Sequence, residues 1–113
     1  MHEYSIVEAL LARVDAEARA RGATAVHRLT VRIGELSGVE IDLLATAFVT
    51  FRDRTICAHA DLDVRAVAAV WACPVCSERI ERGSMLRCAA CGVPARLSQG
   101  DEILLDRIEM EVP

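Results

Sequence analysis

The chain has 113 residues, of which 53% are apolar, so it can bury one compact core and leaves little room for a second. Its formal net charge is -4, and its 13 basic residues, all of them arginine, form no basic face over the whole chain. This argues against a nucleic-acid-binding protein, because contacts with phosphates need clustered positive charge.

The sequence also argues against export and against a membrane span. No stretch approaches the roughly 18 uninterrupted apolar residues of a spanning helix. The N-terminal segment contains Glu3 and Glu8 and has no basic leader before an apolar run, unlike a secretory signal. We therefore expect a cytoplasmic protein whose 5 cysteines stay reduced, so that paired cysteines indicate metal ligands before disulfides.

The first third of the chain predicts a helix followed by a strand. Apolar residues recur at helical spacing between residues 4 and 20, with charged residues largely on the other side, which is typical of an amphipathic helix. We expect this helix to end near Gly22. Residues 28–33 alternate apolar and polar side chains, which predicts a strand with one buried face. That face is expected to comprise Leu29, Val31 and Ile33.

A second helix and two more strands are predicted further along the chain. Ser37 and Glu40 have the spacing of a capping box, and the apolar stripe behind them predicts a helix from about 38 to about 54. Residues 62–71 are apolar and rich in β-branched side chains, which predicts a well-buried strand. Residues 102–112 predict another strand. Its buried face is expected to comprise Leu104, Ile108, Met110 and Val112.

The order of these elements predicts an α+β fold, in which a small three-stranded sheet carries two helices on one face. Between the last two strands the composition changes to a segment rich in Cys, Pro and Gly. We interpret this segment, residues 72–100, as an inserted zinc-ribbon-like module that binds zinc. Residues 1–71 and 101–113 would then form one α/β domain.

The inserted segment contains two C-x-x-C motifs, Cys73 to Cys76 and Cys88 to Cys91, separated by 11 residues. Two residues between cysteines let one tight turn present both sulfurs to a single ion, and two such turns complete a tetrahedron. Zinc suits an all-thiolate shell, and because that shell is saturated we expect a structural ion. The alternative is two redox dithiols, although a redox C-x-x-C is more typically a single motif that opens a helix.

Three other potential ligands have no evident partners nearby in the sequence: Cys57, His27 and His59. Cys57 is expected to be a small buried residue after the second helix, with a reactive thiol as the alternative. The two histidines are expected on the surface or at strand edges. None of the three is assigned to a metal site.

Met1, His2 and Glu3 place an imidazole and a carboxylate next to the α-amine of the chain. A free amine, the deprotonated His2 amide nitrogen and the His2 imidazole would close adjacent rings in one plane, and Glu3 would add a further ligand. Such a planar set favours Ni(II) or Cu(II) over zinc, which prefers a tetrahedron. Taken alone, the tripeptide favours the simpler interpretation of a chance histidine in a frayed first turn, with Glu3 near the positive end of the helix dipole.

Several motifs together resemble the HypA/HybF family along nearly the whole chain. The chain begins with MHE, followed by Ser5 and a helix, and residues 33–40 read IGELSGVE. Residues 47–51 read AFVTF, and the two cysteine motifs read CPVC and CAAC. Each motif is modest by itself, but the set in this order is specific. The chain therefore resembles the nickel metallochaperones of nickel-iron hydrogenase maturation.

This resemblance implies a nickel site formed by His2, with the Met1 amine and Glu3 as supporting ligands. Glu40 matches an acidic position that members of the family use near the nickel. The implied zinc ligands are Cys73, Cys76, Cys88 and Cys91. The resemblance further implies that the protein passes Ni(II) to the hydrogenase large-subunit precursor together with a HypB-type GTPase, and in some organisms works with urease maturation factors.

The main alternative is a zinc ribbon that binds nucleic acid or another protein, with residues 1–3 inert. The inserted segment gives it slight support, because its arginines outnumber its glutamates. These residues are Arg79, Arg82, Arg87 and Arg96 against Glu78 and Glu81. An enzyme is disfavoured, since the sequence shows no nucleophile with a plausible base, no Gly-rich phosphate loop and no open metal shell. Any GTP hydrolysis is expected from a partner.

Overall fold

The computed structural model describes residues 2–113, without the side chain of His2. Two helices and six strands make up this described chain. In chain order they are α1 (His2–Ala20), β1 (Ala25–Gly34), α2 (Ile41–Phe51), β2 (Asp61–Val67), β3 (Val70–Ala72), β4 (Arg79–Ile80), β5 (Arg96–Gln99) and β6 (Ile103–Glu111). Neither helix in this range has the length and apolar character needed to cross a membrane.

The first sheet has the strand order β2-β1-β6, so β1 lies in its centre. β1 is parallel to β2 and antiparallel to β6. The connection from β1 to β2 contains α2, because parallel neighbours need a crossover. The predicted α+β fold, with two helices on a small three-stranded sheet, is confirmed.

The main hydrophobic core lies between the first sheet and the two helices. The apolar face predicted for the first helix is buried or partly buried in α1, and the face predicted for residues 28–33 is buried in β1. Leu44 and Phe48 enter the core from α2, and Cys57 and Ala60 close it after that helix. The buried residues of α1 and β1 are Val7, Leu10, Val14, Ala18, Val26, Leu29, Val31 and Ile33. Hydrophobic burial therefore stabilises this part of the chain.

The second helix is shorter than predicted, and the predicted capping box is wrong. α2 runs from Ile41 to Phe51, with Glu40 as an extended N-cap that makes no side-chain capping hydrogen bond. The Ser37 hydroxyl accepts instead from the backbone N–H two residues further on, at 3.3 Å. Gly38 has a φ of 80°, in the left-handed region, so the helix cannot begin there.

The single strand predicted over residues 62–71 is two strands in different sheets. β2 ends at Val67, and β3 begins at Val70 in a second, antiparallel sheet with the order β4-β3-β5. Between them the Ala69 N–H donates to Glu35 Oε1 at 2.8 Å and so leaves the hydrogen-bond ladder of the first sheet. The apolar pattern continues across this break and so does not reveal the change of sheet. The prediction of a well-buried strand is also wrong, since the residues of β2 and β3 are half-buried or exposed.

Residues 68–69 and residues 100–102 connect the two sheets. The backbones of these two connections are in direct contact beside the end of β1. A Cβ atom added to Gly34 would lie 2.3 Å from the Gly100 carbonyl carbon, and one added to Gly100 would lie 2.5 Å from the Ala69 Cα. No side chain tolerates such distances, and Gly100 also has a φ of 110°. These glycines therefore allow the two connections to cross.

A β-bulge interrupts the alternation of β6. Adjacent residues of β1, Thr30 and Val31, pair with residues of β6 that are two positions apart. These partners are Arg107 and Leu105, which leaves Asp106 as an extra residue. One extra residue shifts the alternation between the two faces of a strand by one position. Inner residues therefore have odd numbers before the bulge and even numbers after it.

The bulge explains why the buried face predicted for the last strand is partly wrong. Ile108 and Met110 pack against the core as predicted. Before the bulge, Leu105 packs there in place of Leu104, which is 44% exposed. Val112 follows the strand and is 50% exposed. A pattern of strict alternation cannot predict these positions, because the bulge depends on pairing with β1.

An ion pair joins the second sheet to the first. Arg82, which follows β4, donates from Nη1 and Nη2 to the two carboxylate oxygens of Glu35 at 2.5 and 2.6 Å. Glu35 also accepts from the Ala69 N–H, as described above. The hydrogen bond from Arg82, followed by that from Ala69, lowers the pKa of Glu35 from 4.5 to about 2. The ionised carboxylate thus links β1, the connection and the second sheet.

The buried and exposed leucines of α2 offer a test of the core. Leu44 is 0% exposed and the adjacent Leu43 is 55% exposed. We expect Leu44→Ala to lower the free energy of unfolding by about 2–5 kcal/mol, because it leaves a cavity in the core. Leu43→Ala is the matched control and should change it by less than about 0.5 kcal/mol. Urea denaturation followed by circular dichroism measures both, and equal losses would contradict the orientation of α2.

The ion pair between Glu35 and Arg82 is testable by a double-mutant cycle. Because the pKa of Glu35 is lowered on folding, the pair stabilises the fold above pH 4.5 and loses that contribution only as the pH falls towards about 2. At pH 7 the effects of Glu35→Gln and Arg82→Gln on thermal unfolding should therefore be less than additive in the double variant. Both side chains are partly exposed, so added salt should reduce this coupling. Fully additive effects at low salt would rule out the pair.

Candidate metal sites

Two turns with the same geometry carry the four cysteines of the inserted segment. Cys73 follows β3, and its carbonyl accepts a hydrogen bond from the Ser77 N–H at 2.9 Å. The Cys88 carbonyl accepts from the Gly92 N–H at 2.8 Å in the same way. Ser77 and Gly92 have φ angles of 65° and 68°, so both turns end in the left-handed conformation. Each C-x-x-C motif therefore forms one compact turn.

The sulfur atoms of the two turns form one compact group, which we call the sulfur cluster. It comprises Cys73, Cys76, Cys88 and Cys91. All four sulfurs lie within 4.8 Å of one another, and those of Cys76 and Cys88 are 3.8 Å apart. A tetrahedron with zinc–sulfur bonds of about 2.3 Å has edges of about 3.8 Å. The cluster therefore fits one tetrahedral ion with four thiolate ligands.

Backbone N–H groups point at the sulfur of the first cysteine in each motif. Val75 and Cys76 both donate to Cys73 Sγ at 3.4 Å. Cys91 donates to Cys88 Sγ at the same distance, 3.4 Å. The bond from the Cys76 N–H is the main reason that the pKa of Cys73 falls from 9.0 to about 7. These donors favour the thiolate, which is the form that binds metal.

Without a cation, the closeness of the four thiols makes ionisation of Cys91 unfavourable. The side-chain hydrogen bond with Cys76, and then that with Cys73, raises the pKa of Cys91 from 9.0 to about 12. One thiol of the group thus loses its proton less easily once a neighbour is ionised. A divalent cation bound among the sulfurs would reverse this effect and keep all four as thiolates.

The second sheet has little apolar core apart from the sulfur cluster. Its buried residues are Cys73, Ile80 and Cys88, so two of the three are members of the cluster. Trp71 and Val93 pack against them and are partly exposed. A group of this size is too small to order a segment of this length by hydrophobic burial. The fold of the second sheet therefore depends on the ion held by the cysteines.

The beginnings of the two helices lie next to each other. Glu3, in the first turn of α1, accepts a hydrogen bond at Oε2 from the Glu40 N–H at 3.2 Å. The structure thus brings together two of the residues that the sequence places at or near a nickel site. The other two predicted residues, Met1 and the His2 side chain, lie outside the described residues.

Cys57, His27 and His59 have the surroundings that the sequence predicts. Cys57 is 0% exposed, and burial is the main reason that its pKa rises from 9.0 to about 11. Both histidines are exposed. His27 Nε2 lies 3.3 Å from Glu111 Oε1, across the edge between β1 and β6. None of the three is part of the sulfur cluster.

Two features of these sites escape the sequence analysis. The N–H groups that donate to sulfur belong to the backbone, so the side chain of Val75 does not predict this hydrogen bond. The C-x-x-C spacing could have predicted it, because this turn directs the N–H groups that follow its first cysteine towards the sulfur of that cysteine. The bond from the Glu40 N–H to Glu3 joins residues 37 positions apart, and no local pattern reports it.

The chain matches known proteins over nearly its whole length. The family model described as "Hydrogenase/urease nickel incorporation, metallochaperone, hypA" matches residues 1–110. The hydrogenase maturation factor HypA of Shewanella sp. (strain MR-7) is 41% identical, over 98% of this chain and 96% of its own length. That of Aquifex aeolicus (strain VF5) is 35% identical, over 99% of each chain. The chain belongs to the HypA family.

Solved HypA structures share the fold. The solution structure of the Ni metallochaperone HypA from Helicobacter pylori has a TM-score of 0.74 and 30% identity, with 98% of both chains covered. Another HypA solution structure has a TM-score of 0.82 and 32% identity, over 97% of this chain and 96% of that one. The family resemblance is thereby confirmed. The protein is a HypA-type nickel metallochaperone of hydrogenase maturation, with a four-cysteine metal site.

The four-cysteine site of this HypA family member makes a prediction about metal content. Cys76→Ser should lower the metal retained per chain after extensive dialysis, because it replaces a thiolate with a weaker ligand. Cys57→Ala is the matched control and should retain the parent's metal, since Cys57 lies in the other core. Elemental analysis of the purified proteins measures both. A Cys76→Ser protein with the parent's metal content would contradict the site.

Proposed function

We propose that the protein binds Ni(II) at its N-terminus and delivers it to the nickel-iron hydrogenase precursor, while a structural zinc ion occupies the sulfur cluster. The observation that carries the nickel site is the hydrogen bond between Glu3 and the Glu40 N–H. It holds the start of the chain against the start of α2 in a member of a nickel-metallochaperone family. The proposed nickel ligands are the Met1 amine, His2 and Glu3, with Glu40 as an additional residue of the site.

The chemistry of the proposed ligands suits nickel. The amine of Met1, the deprotonated amide nitrogen of His2 and its imidazole lie in consecutive positions along one short stretch of chain, so they can enclose an ion in a plane. Ni(II) accepts such planar nitrogen and oxygen sets, whereas zinc favours a tetrahedron. Glu3, Glu40 and Asp42 also place acidic residues around the start of α2, where they attract a cation.

The contact between Glu3 and Glu40 gives this N-terminal site a fixed base. Glu3 Oε2 accepts from the N–H of the residue that precedes α2, a group that has no partner within that helix. The Glu3 carboxylate thus caps the N-terminal end of α2, as an N-cap side chain would, although Glu3 lies 37 residues before Glu40 in the sequence. A chelate attached to this base can release its ion again, because protonation of its amine, amide and imidazole competes with the metal.

The sulfur cluster suits a different task. Its four ligands complete a tetrahedral shell, which leaves no position for a substrate or for exchange with a partner. Structural zinc in comparable peptides contributes roughly 10–16 kcal/mol of apparent binding free energy. We therefore assign zinc to architecture and nickel to cargo. In the same proposal, residues 72–100 are the zinc-binding module, and residues 1–71 with 101–113 are the nickel-binding domain.

The proposal includes partners and a compartment. A HypB-type GTPase supplies the nucleotide hydrolysis, and this chain has no catalytic activity of its own. The hydrogenase large-subunit precursor receives the nickel, and urease maturation factors are further partners in organisms where the protein assists urease assembly. The description of the matching family names both hydrogenase and urease. The transfer takes place in the cytoplasm, where the thiolates stay reduced.

The nucleic-acid alternative is less well supported. Of the arginines in the inserted segment, Arg82 pairs with Glu35, and Arg87 donates to the Gly92 carbonyl. These two side chains are therefore engaged within the chain. Four thiolates with one zinc ion would also carry a net charge of about -2, which offsets the excess of arginines. Steep loss of nucleic-acid affinity with salt would revive this alternative.

The nickel site is testable by titration of the zinc-loaded protein. We expect the parent to bind one nickel tightly in addition to its zinc, and His2→Ala to lose at least about tenfold in nickel affinity, because the chelate loses its imidazole. Zinc content should stay the same in both. Native mass spectrometry counts each metal.

His27→Ala is the control, since it removes an exposed histidine that lies away from the start of α2. It should bind nickel as the parent does. Equal losses in His2→Ala and His27→Ala would indicate nonspecific binding to surface histidines. Full nickel affinity in His2→Ala would contradict the proposed site.

A further inference from the structure

The first turn of α1 precedes the part of this helix that enters the hydrophobic core. Of the described side chains of α1, Ile6 and Val7 are the first that pack there. Tyr4 and Ser5, which precede them, are exposed. The first N–H groups of a helix also have no partners within that helix. The position of this turn therefore depends on contacts that the helix makes with other parts of the chain.

An aromatic contact joins this turn to α2. The ring centroids of Tyr4 and Phe51 lie 4.4 Å apart, and the planes of the two rings are tilted by 58°. Tilted aromatic pairs are favourable beyond the apolar area that they bury. Phe51 is partly buried and packs against the main core. It therefore connects the Tyr4 ring, and with it the first turn of α1, to the core.

The preceding residue of α1 contacts the opposite end of the same helix. Glu3 Oε2 accepts a hydrogen bond from the N–H of Glu40, which is the N-cap of α2. Phe51 is the last residue of α2. Two consecutive residues of α1 are thus held at the two ends of one helix. Contacts at two separate points restrict both the position and the direction of the turn, which a single contact does not.

We propose that Tyr4 is a positioning residue for nickel binding, because its ring, packed on Phe51, holds the first turn of α1 in the arrangement that the chelate requires. This inference rests on the nickel site proposed above and adds a residue to it. Tyr4 directly follows Glu3 in the chain. A movement of the backbone at Tyr4 therefore also moves Glu3, which is both a proposed ligand and the acceptor of the hydrogen bond from Glu40.

Preorganisation explains how a ring outside the ligand set affects the affinity for nickel. A chelate built from consecutive residues loses conformational freedom when it closes around an ion, and each residue ordered in advance lowers that cost. The contact between Tyr4 and Phe51 orders the backbone next to Glu3 before the ion binds. Without the ring, the hydrogen bond between Glu3 and Glu40 would hold this side of the turn, and one hydrogen bond contributes only modestly to stability.

Two other roles for Tyr4 are separable from positioning. A role in the stability of the fold is small, because a side chain that is 42% exposed at the end of a helix buries little apolar area. Direct binding of the ion would need the hydroxyl group, whereas the contact with Phe51 needs only the ring. Tyr4→Phe keeps the ring and removes the hydroxyl, so it distinguishes ion binding from positioning.

Nickel titration of the zinc-loaded full chain tests the positioning role. Tyr4→Ala should raise the dissociation constant for nickel by about tenfold, because the turn is no longer ordered in advance. Tyr4→Phe should bind nickel as the parent does. Val49→Ala is the matched control and should also bind as the parent does, since Val49 is an apolar residue of α2 that is 54% exposed. Zinc content and far-ultraviolet circular dichroism should match the parent in all three variants.

The exchange of the Glu40 amide proton gives a second readout that needs no nickel. This N–H donates to Glu3, so its protection from exchange with solvent reports how firmly the first turn of α1 is held. In Tyr4→Ala the exchange rate of this proton, measured by nuclear magnetic resonance, should rise by about threefold or more. The amide of Phe48, within α2, should exchange as in the parent. A role in global stability would instead accelerate exchange throughout the core.

The combined results separate this inference from the proposed nickel site. Weaker nickel binding in Tyr4→Ala, parent affinity in Tyr4→Phe and faster exchange at Glu40 support the positioning role. Parent affinity in Tyr4→Ala, together with lost affinity in His2→Ala, would overturn this role and leave the nickel site standing. Equal losses in Tyr4→Ala and Tyr4→Phe would assign the effect to the hydroxyl and overturn it as well. Parent affinity in His2→Ala would overturn the nickel site itself, and this inference with it.

Discussion

Four cysteine sulfurs within 4.8 Å of one another impose the strongest constraint on this molecule. Thiolates at such distances repel one another, and the raised pKa of Cys91 shows the resistance of the group to ionisation without a cation. The segment around them buries only Ile80 besides two of these cysteines in its core. Its three short strands therefore have no sufficient hydrophobic alternative to metal binding.

The first sheet, in contrast, is stabilised by hydrophobic burial. Large apolar side chains from α1, β1 and α2 fill its core, so it needs no ion to fold. Its two helices begin side by side, and the Glu3 carboxylate accepts a hydrogen bond from the Glu40 N–H. In the proposed function the chain terminus holds a labile ion, and loss of that ion would leave this core intact. The pair formed by Glu35 and Arg82 links this stable part to the metal-dependent part.

Much of the fold and of the metal chemistry is predictable from local patterns. The C-x-x-C spacing predicts the sulfur cluster, and the alternation of residues 28–33 predicts the inner face of β1. Two of the wrong predictions share a cause, which is dependence on distant residues. The strand over residues 62–71 breaks where Ala69 bonds to Glu35, and the face of β6 changes at a bulge that exists only in pairing with β1. The start of α2 was misplaced for a local reason, the left-handed conformation of Gly38.

In the proposed function, sulfur ligands hold one ion, and nitrogen and oxygen ligands hold the other. X-ray absorption spectroscopy of the protein loaded with both metals reports each ion separately. We expect a zinc edge with four sulfur neighbours at about 2.3 Å and a nickel edge with nitrogen and oxygen neighbours only. Sulfur neighbours at the nickel edge, or nitrogen and oxygen ligands at the zinc edge, would contradict it.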